Sequence, residues 1–231
     1  MKFLKRTLTG ILLLSILCVA KGGVYLLIMN LFLSTVAIYE LENVLNKQNN
    51  NTINIKNLII NILLNISFNI SIFFKNELLA IVLLCSFSLI ELTLYTIFDK
   101  SLEEVLNNYF MHIYITITFS LMYFIAKTEY IWLIYICSWG TDTAAYCTGM
   151  LFGKHKLTKI SPKKTIEGAV GGIIGSMIIA GIFTFFYGEL NIIKIISIAF
   201  FGSIISQIGD ISASKIKRKA NVKDFGNIFI G

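Results

Sequence analysis

An all-α, polytopic membrane protein is the fold class this sequence predicts, on three observations. Apolar residues fill 56% of the 231 positions and charged residues only 14%, against the usual ~45–50% and ~25% of soluble domains. Too few charges are present to coat a soluble exterior. Eight apolar stretches reach or approach the roughly 20 residues that a membrane crossing requires. Basic residues also fall almost entirely on one side of those stretches. With the N-terminus in the cytoplasm, 16 of the 20 Lys and Arg lie on that side, and only Lys21, Lys75, Lys127 and Lys194 on the other. Such an asymmetry marks cytoplasmic loops. It also accounts for the net charge of +7, which in a soluble chain would point to nucleic acid. No nucleic-acid partner is expected.

The stretches run over about 7–20, 23–39, 58–74, 78–98, 109–126, 130–149, 168–187 and 191–209. Lys2, Lys5 and Arg6 precede the first like the basic start of a signal peptide. No A-x-A cleavage site follows, and Lys21-Gly22-Gly23 leads straight into the second, so a retained helical hairpin is expected. Residues 46–57 form a polar, Asn-rich loop whose composition follows the Asn/Ile bias of the whole chain. Residues 99–108, DKSLEEVLNN, suit a short amphipathic helix at the interface. The whole of 1–231 is read as one integral membrane domain, with N-terminal helices over 1–108 and catalytic-type helices and loops over 109–231. It is expected in the cell (plasma or inner) membrane, with its N-terminus and basic loops cytoplasmic. Cys18, Cys85, Cys137 and Cys147 lie inside apolar runs without C-x-x-C spacing, and are expected to be buried small hydrophobes.

An ionisable group inside a span costs roughly 2.5–3.5 kcal/mol, so each needs a reason. Glu91 is mid-span, and an interhelical hydrogen-bonding carboxylate is its expected role. Asp142 and Asp210 each precede a cytoplasmic basic segment. The first segment, Gly149 to Gly172, holds the only proline, Pro162. Ser161-Pro162 reads as a turn, and Thr165-Ile166-Glu167-Gly168 opens the next helix. Lys163 and Lys164 would stand just before that helix start, where free amides and the dipole favour anions. His155, flanked by lysines, is read as a loop residue and not a metal ligand.

In the second segment Asp210, Ser214 and Lys217 are spaced i, i+4 and i+7, which stacks them on one helix face. Mg²⁺ takes hard oxygen ligands, usually one or two carboxylates plus substrate phosphates. Asp210 with Ser214 would seat such an ion, with Lys217 and Arg218 on the phosphates it bridges. Lys223-Asp224 follows in a glycine-bearing turn.

The segment SKIKRKANVKDFG, Ser214 to Gly226, resembles the signature of the CDP-diacylglycerol synthase (phosphatidate cytidylyltransferase) family. Ser214, Lys217-Arg218, Lys223-Asp224 and the small residue after them all match. The block from Asp142 to Gly168, DTAAYCTGMLFGKHKLTKISPKKTIEG, is similar to the family's other conserved block, and QIGD (207–210), just before Ser214, fits too. The resemblance implies a nucleotidyltransferase that makes CDP-diacylglycerol and pyrophosphate from CTP and phosphatidate. By position, Asp210 and Ser214 would help hold Mg²⁺ (one ion or two), and Lys217 would contact phosphate. Asp142, Lys163 and Lys164 would contribute to the nucleotide and substrate pocket, as would Arg218, Lys223 and Asp224. Membrane lipids and a second copy of the chain are the further partners considered.

The family continues with His-Gly-Gly, Asp-Arg-x-Asp and a ninth helix, whereas this sequence stops at Gly231, with Ile230 where Pro, Gly or Ser is usual. One of the missing aspartates completes the family's metal site. A fragment of a working enzyme and a truncated inactive copy are both open. So are a CTP-dependent lipid kinase and an ion-coupled transporter using Glu91 and Asp142.

Overall fold

The computed structural model describes residues 23–48, 54–98, 100–126, 128–188 and 190–226. The expected first span, 7–20, lies outside them. Among the described residues the chain is helical, and its only β feature is an isolated bridge between Lys156 and Thr165.

Five helices are long and apolar enough to cross a membrane. They are α1 (Val24–Gln48), α2 (Ile55–Phe73), α3 (Glu77–Ile97), α8 (Ile166–Phe186) and α9 (Ile192–Lys219). The expected count of eight is thereby corrected to five among the described residues. The difference arises at 109–126 and 130–149. There α4 (Leu102–Met111) passes through π-helical His112–Ile117 into α5 (Thr118–Ile125). Likewise α6 (Ile131–Tyr135) passes through π-helical Ile136–Gly140 into α7 (Thr141–Phe152). A π-turn puts one extra residue into the hydrogen-bond ladder, so neither run is a single α-helix of membrane-spanning length, although the backbone stays right-handed helical through both. Hydropathy along the chain cannot register that change of hydrogen-bond pattern.

Helix starts follow local chemistry. Asn54 accepts from the Lys56 amide, Asn76 from Leu79, Ser101 from Glu104 and Thr165 from Gly168. Each cap satisfies one of the orphan amides of a first turn. The expected amphipathic helix forms as α4, burying Val105, Asn108 and Met111 and leaving Leu102 and Leu106 exposed.

The chain divides into two compact units, Met1–Lys127 with Ala220–Gly231, and Thr128–Lys219. The first has a polar interior. Asn61, Asn65 and Asn69, one turn apart on α2, are fully buried, as is Asn30 on α1. Asn65 Nδ2 donates to Ser34 Oγ at 2.8 Å and Asn61 Nδ2 to Asn108 Oδ1 at 3.2 Å. Asn30 Nδ2 reaches Asn69 Oδ1 at 3.4 Å and the Phe119 carbonyl at 2.9 Å. The asparagines within the helices are thus interhelical ligands of one another, beyond any compositional bias. Glu91 belongs to this interior, accepting from Lys100 Nζ at 2.7 Å and Asn108 Nδ2 at 2.8 Å. It has the structural role expected of it.

The second unit packs on Leu133, Ala180, Ile195 and Ala199. Its helices α7 and α8 cross with backbones nearly touching. A Cβ added to Gly171 would collide with Thr148, and one added to Gly175 with Ala144. Small residues permit this approach, a common device between membrane helices. Of the described cysteines only Cys137 is buried; Cys85 and Cys147 are exposed thiols. This corrects the expectation for those two, because an apolar run does not say which side of a membrane helix faces the bundle.

Candidate active site

The loop between α7 and α8 folds back on itself. The Leu157 amide donates to the Lys164 carbonyl at 2.9 Å, Ile166 to His155 at 2.9 Å, and Lys164 to Ser161 at 3.0 Å across the Pro162 turn. Glu167 closes the base of the loop, accepting from the Lys154 and His155 amides at 3.1 and 3.2 Å. The His155 ring adds a 2.6 Å contact from Nδ1. The sequence carries one signal for this clasp, an acidic residue, Glu167, in the first turn of a helix that follows a loop holding a histidine. Free amides beside the lysines were expected at the start of α8. Two are already engaged, since Ile166 donates to His155 and Gly168 to Thr165 Oγ1.

Asp210, Ser214 and Lys217 all lie in the unbroken helix α9, whose pitch sets them along one side. Gln207, one turn before Asp210, donates from Nε2 to the Ala169 carbonyl at 3.1 Å and so ties α9 to α8. The Lys164 ammonium is in ion-pair contact with Asp210 Oδ2, the two side chains being 27% and 46% exposed. The two basic segments therefore meet, and they meet at an acid.

Asp142 is the third member of this group. It sits in the first turn of α7, a 12-residue helix that is not among the five long apolar ones. Atoms crowded around its carboxyl hold back part of the solvent and push its pKa up. The negative charge of Asp210 pushes the same way, and the Lys164 ammonium pulls it down. Lys164 thus serves two carboxylates. Burial and like charge raising an acid's pKa, and a cation lowering it, are the usual physics of such a group.

The remaining predicted residues are placed as follows. Lys163 is exposed in the Pro162 turn, and Ser214 and Lys217 are half-buried on α9. Arg218 is exposed in the last turn of α9, where cations suit the helix dipole. Lys223 and Asp224 follow the helix end, in the segment that packs with the first unit. There Asp224 lines a cleft of about 360 Å³ with Tyr39, Glu40, Asn43 and Lys47 of α1.

The family model described as "Cytidylyltransferase family" matches residues 4–231. A phosphatidate cytidylyltransferase of Staphylococcus saprophyticus is 35% identical over 98% of this chain and 89% of its own length. Its counterpart in Staphylococcus haemolyticus is 44% identical over 48% of this chain and 45% of its own length. That of Bacillus subtilis is 42% identical over 44% and 39%. In these last two the match spans less than half of the relative.

Proposed function

The chain belongs to the cytidylyltransferase family, and from that premise we propose that it transfers the cytidylyl group of CTP to phosphatidate. A phosphatidate oxygen attacks the α-phosphorus, the bond to the bridging oxygen of the β-phosphate breaks, and pyrophosphate leaves with the electron pair. The products are CDP-diacylglycerol and pyrophosphate. Five long apolar helices suit a lipid substrate held at the membrane. The excess of basic residues in the loops favours the cytoplasmic face for both motif segments.

The observation that carries this reading is the Lys164–Asp210 pair, because it joins two motifs 46 residues apart into one charged locus. Asp210 and Ser214 are assigned as oxygen donors for Mg²⁺, with Asp142 near enough to Asp210 to feel its charge. No group of three or more acidic, His or Cys side chains gathers among the described residues. Two carboxylates and a hydroxyl still suit Mg²⁺, which keeps waters and completes its shell from substrate phosphates. When bound, the ion supplies charge neutralisation at the transferred phosphate.

The protein's own part is binding and orientation, the main source of catalysis in phosphoryl chemistry. Lys164 and Lys217 bring ammonium groups to the phosphates from the loop and from α9, and Arg218 offers a fork-shaped guanidinium at the helix end. Lys163, in its exposed turn, draws the nucleotide from solvent. Lys223 and Asp224 are assigned to substrate binding on the signature.

Membranes containing the chain, incubated with phosphatidate and CTP labelled at the α-phosphate, test the reading. Label entering the lipid fraction is the expected result. Lipid labelled only from the γ-phosphate would make the chain a lipid kinase instead, and no lipid label from either would overturn both. The transporter reading loses its first residue, since Glu91 is engaged by Lys100 and Asn108.

A further inference from the structure

The turn after α9 is fixed from an unexpected direction. α9 ends at Lys219, Ala220 is buried, and Asn221 takes a left-handed conformation with φ 54°. Asparagine tolerates that region better than most residues. The following residues, Asp224 to Gly226, come to line the same cleft as Tyr39, Glu40, Asn43 and Lys47. On α1, Tyr39, Asn43 and Lys47 fall one turn apart and form a stripe, with Glu40 beside it. A Cβ built on Gly226 would collide with Oε1, Cδ and Cγ of Glu40. The whole outer half of the glutamate side chain therefore lies where any other residue at 226 would put its own.

We propose that Glu40 is a positioning residue for the signature turn: its side chain, seated against Gly226, fixes the segment that presents Lys223 and Asp224. The small residue that the signature requires after Lys-Asp is then the imprint of Glu40. Lys47 lines the same cleft as Glu40 and Asp224. The kinetic side of this inference rests on the cytidylyl transfer proposed above; the structural side does not.

The test compares Glu40→Ala, Gly226→Ala, their double variant and Glu40→Gln in the full chain. Kinetic constants for CTP are read together with amide hydrogen exchange over 221–226, and exchange over α2 reports intact folding. Each alanine variant is expected to speed exchange over 222–226 and to lower kcat/KM for CTP roughly 3- to 10-fold, leaving KM for phosphatidate unchanged. The double variant should be no worse than the more damaged single, because both act on one contact, Glu40→Ala by emptying it and Gly226→Ala by overfilling it, and coupled sites do not add. Glu40→Gln, with the same shape, should retain the parent's values. Losses that multiply in the double variant, or exchange unchanged in Glu40→Ala, would overturn the proposal. Should the parent chain transfer no cytidylyl group, the functional reading fails while the exchange measurement still decides the role of Glu40.

Discussion

Lys164 and Asp210 form an ion pair that ties the Pro162 turn to the C-terminal third of α9. Both side chains keep substantial exposure, and an exposed pair contributes only about 0–1 kcal/mol. Its value is therefore positional. Lys164→Ala should leave thermal stability within about 1 kcal/mol of the parent while lowering kcat/KM for CTP at least about tenfold, since each 1.4 kcal/mol of lost transition-state binding is tenfold. Equal losses of stability and activity would show that the pair only holds the loop together.

Asp210→Asn should abolish cytidylyl transfer and leave membrane insertion intact. The amide keeps the shape of the carboxylate and loses the charge that a divalent cation needs. Turnover equal to the parent's, with normal amounts of inserted protein, would remove Asp210 from the metal seat.

Asp142 should trade stability against activity. Its carboxyl is pushed up by crowding first and by Asp210 second, so its ionised form is disfavoured in the folded chain. A raised acid contributes stability that is present at low pH and lost as pH rises through its folded-state value. Asp142→Asn should accordingly melt higher than the parent at neutral pH without divalent cations, and the gap should close as pH falls. Transfer activity should drop. A melting difference that stays constant with pH would refute the assignment.

The buried pair of Lys100 and Glu91, 2.7 Å apart and 7% and 1% exposed, behaves differently. Removing one member of a buried pair strands the other and costs about 3–5 kcal/mol. Lys100→Met should be destabilising on that scale, and adding Glu91→Leu should recover part of the loss. Unfolding in detergent measures both, and a double variant worse than the single would contradict the pairing.

Gly171→Ala should destabilise the α7–α8 crossing by about 1–3 kcal/mol, the usual penalty of overpacking, because the new methyl meets Thr148. Gly181→Ala, in the same helix but with open space around its Cβ position, is the control and should be neutral or slightly stabilising. Similar melting of the two variants would mean that the helices can part without cost.

Much of the fold was legible because hydropathy marks where a helix lies along the chain. The stretches 58–74 and 168–187 became Ile55–Phe73 and Ile166–Phe186, and Ser161-Pro162 became a turn as its chemistry requires. What failed depends on rotation about helix axes. The π-turns at His112–Ile117 and Ile136–Gly140 leave the apolar pattern unchanged, so they had no signature. Which lysine would find Asp210, Lys163 or Lys164, is decided by the direction of one turn. Spacing placed Asp210, Ser214 and Lys217 on a common side, whereas the clasp of Glu167 on His155 needed the folded loop. Cys85 looked buried for the same reason that Asn61 looked incidental: sequence gives depth in the membrane and not the neighbour.

The asparagine ladder on α2 also sets a ruler for assembly. Sliding α2 by one turn, about 5.4 Å, would lay Asn65 where Asn61 had been and keep the middle rung of the ladder satisfied. One end would not survive it: Asn65 could answer Asn108 in place of Asn61, but Phe73 would take the place of Asn69 beside Asn30, and Asn61 would be carried past its partner. A slipped helix would therefore leave Asn61 and Asn30 each short of a partner, and an unmet polar group in hydrocarbon costs several kcal/mol. The outer rungs proofread the register that the inner rung alone would leave degenerate.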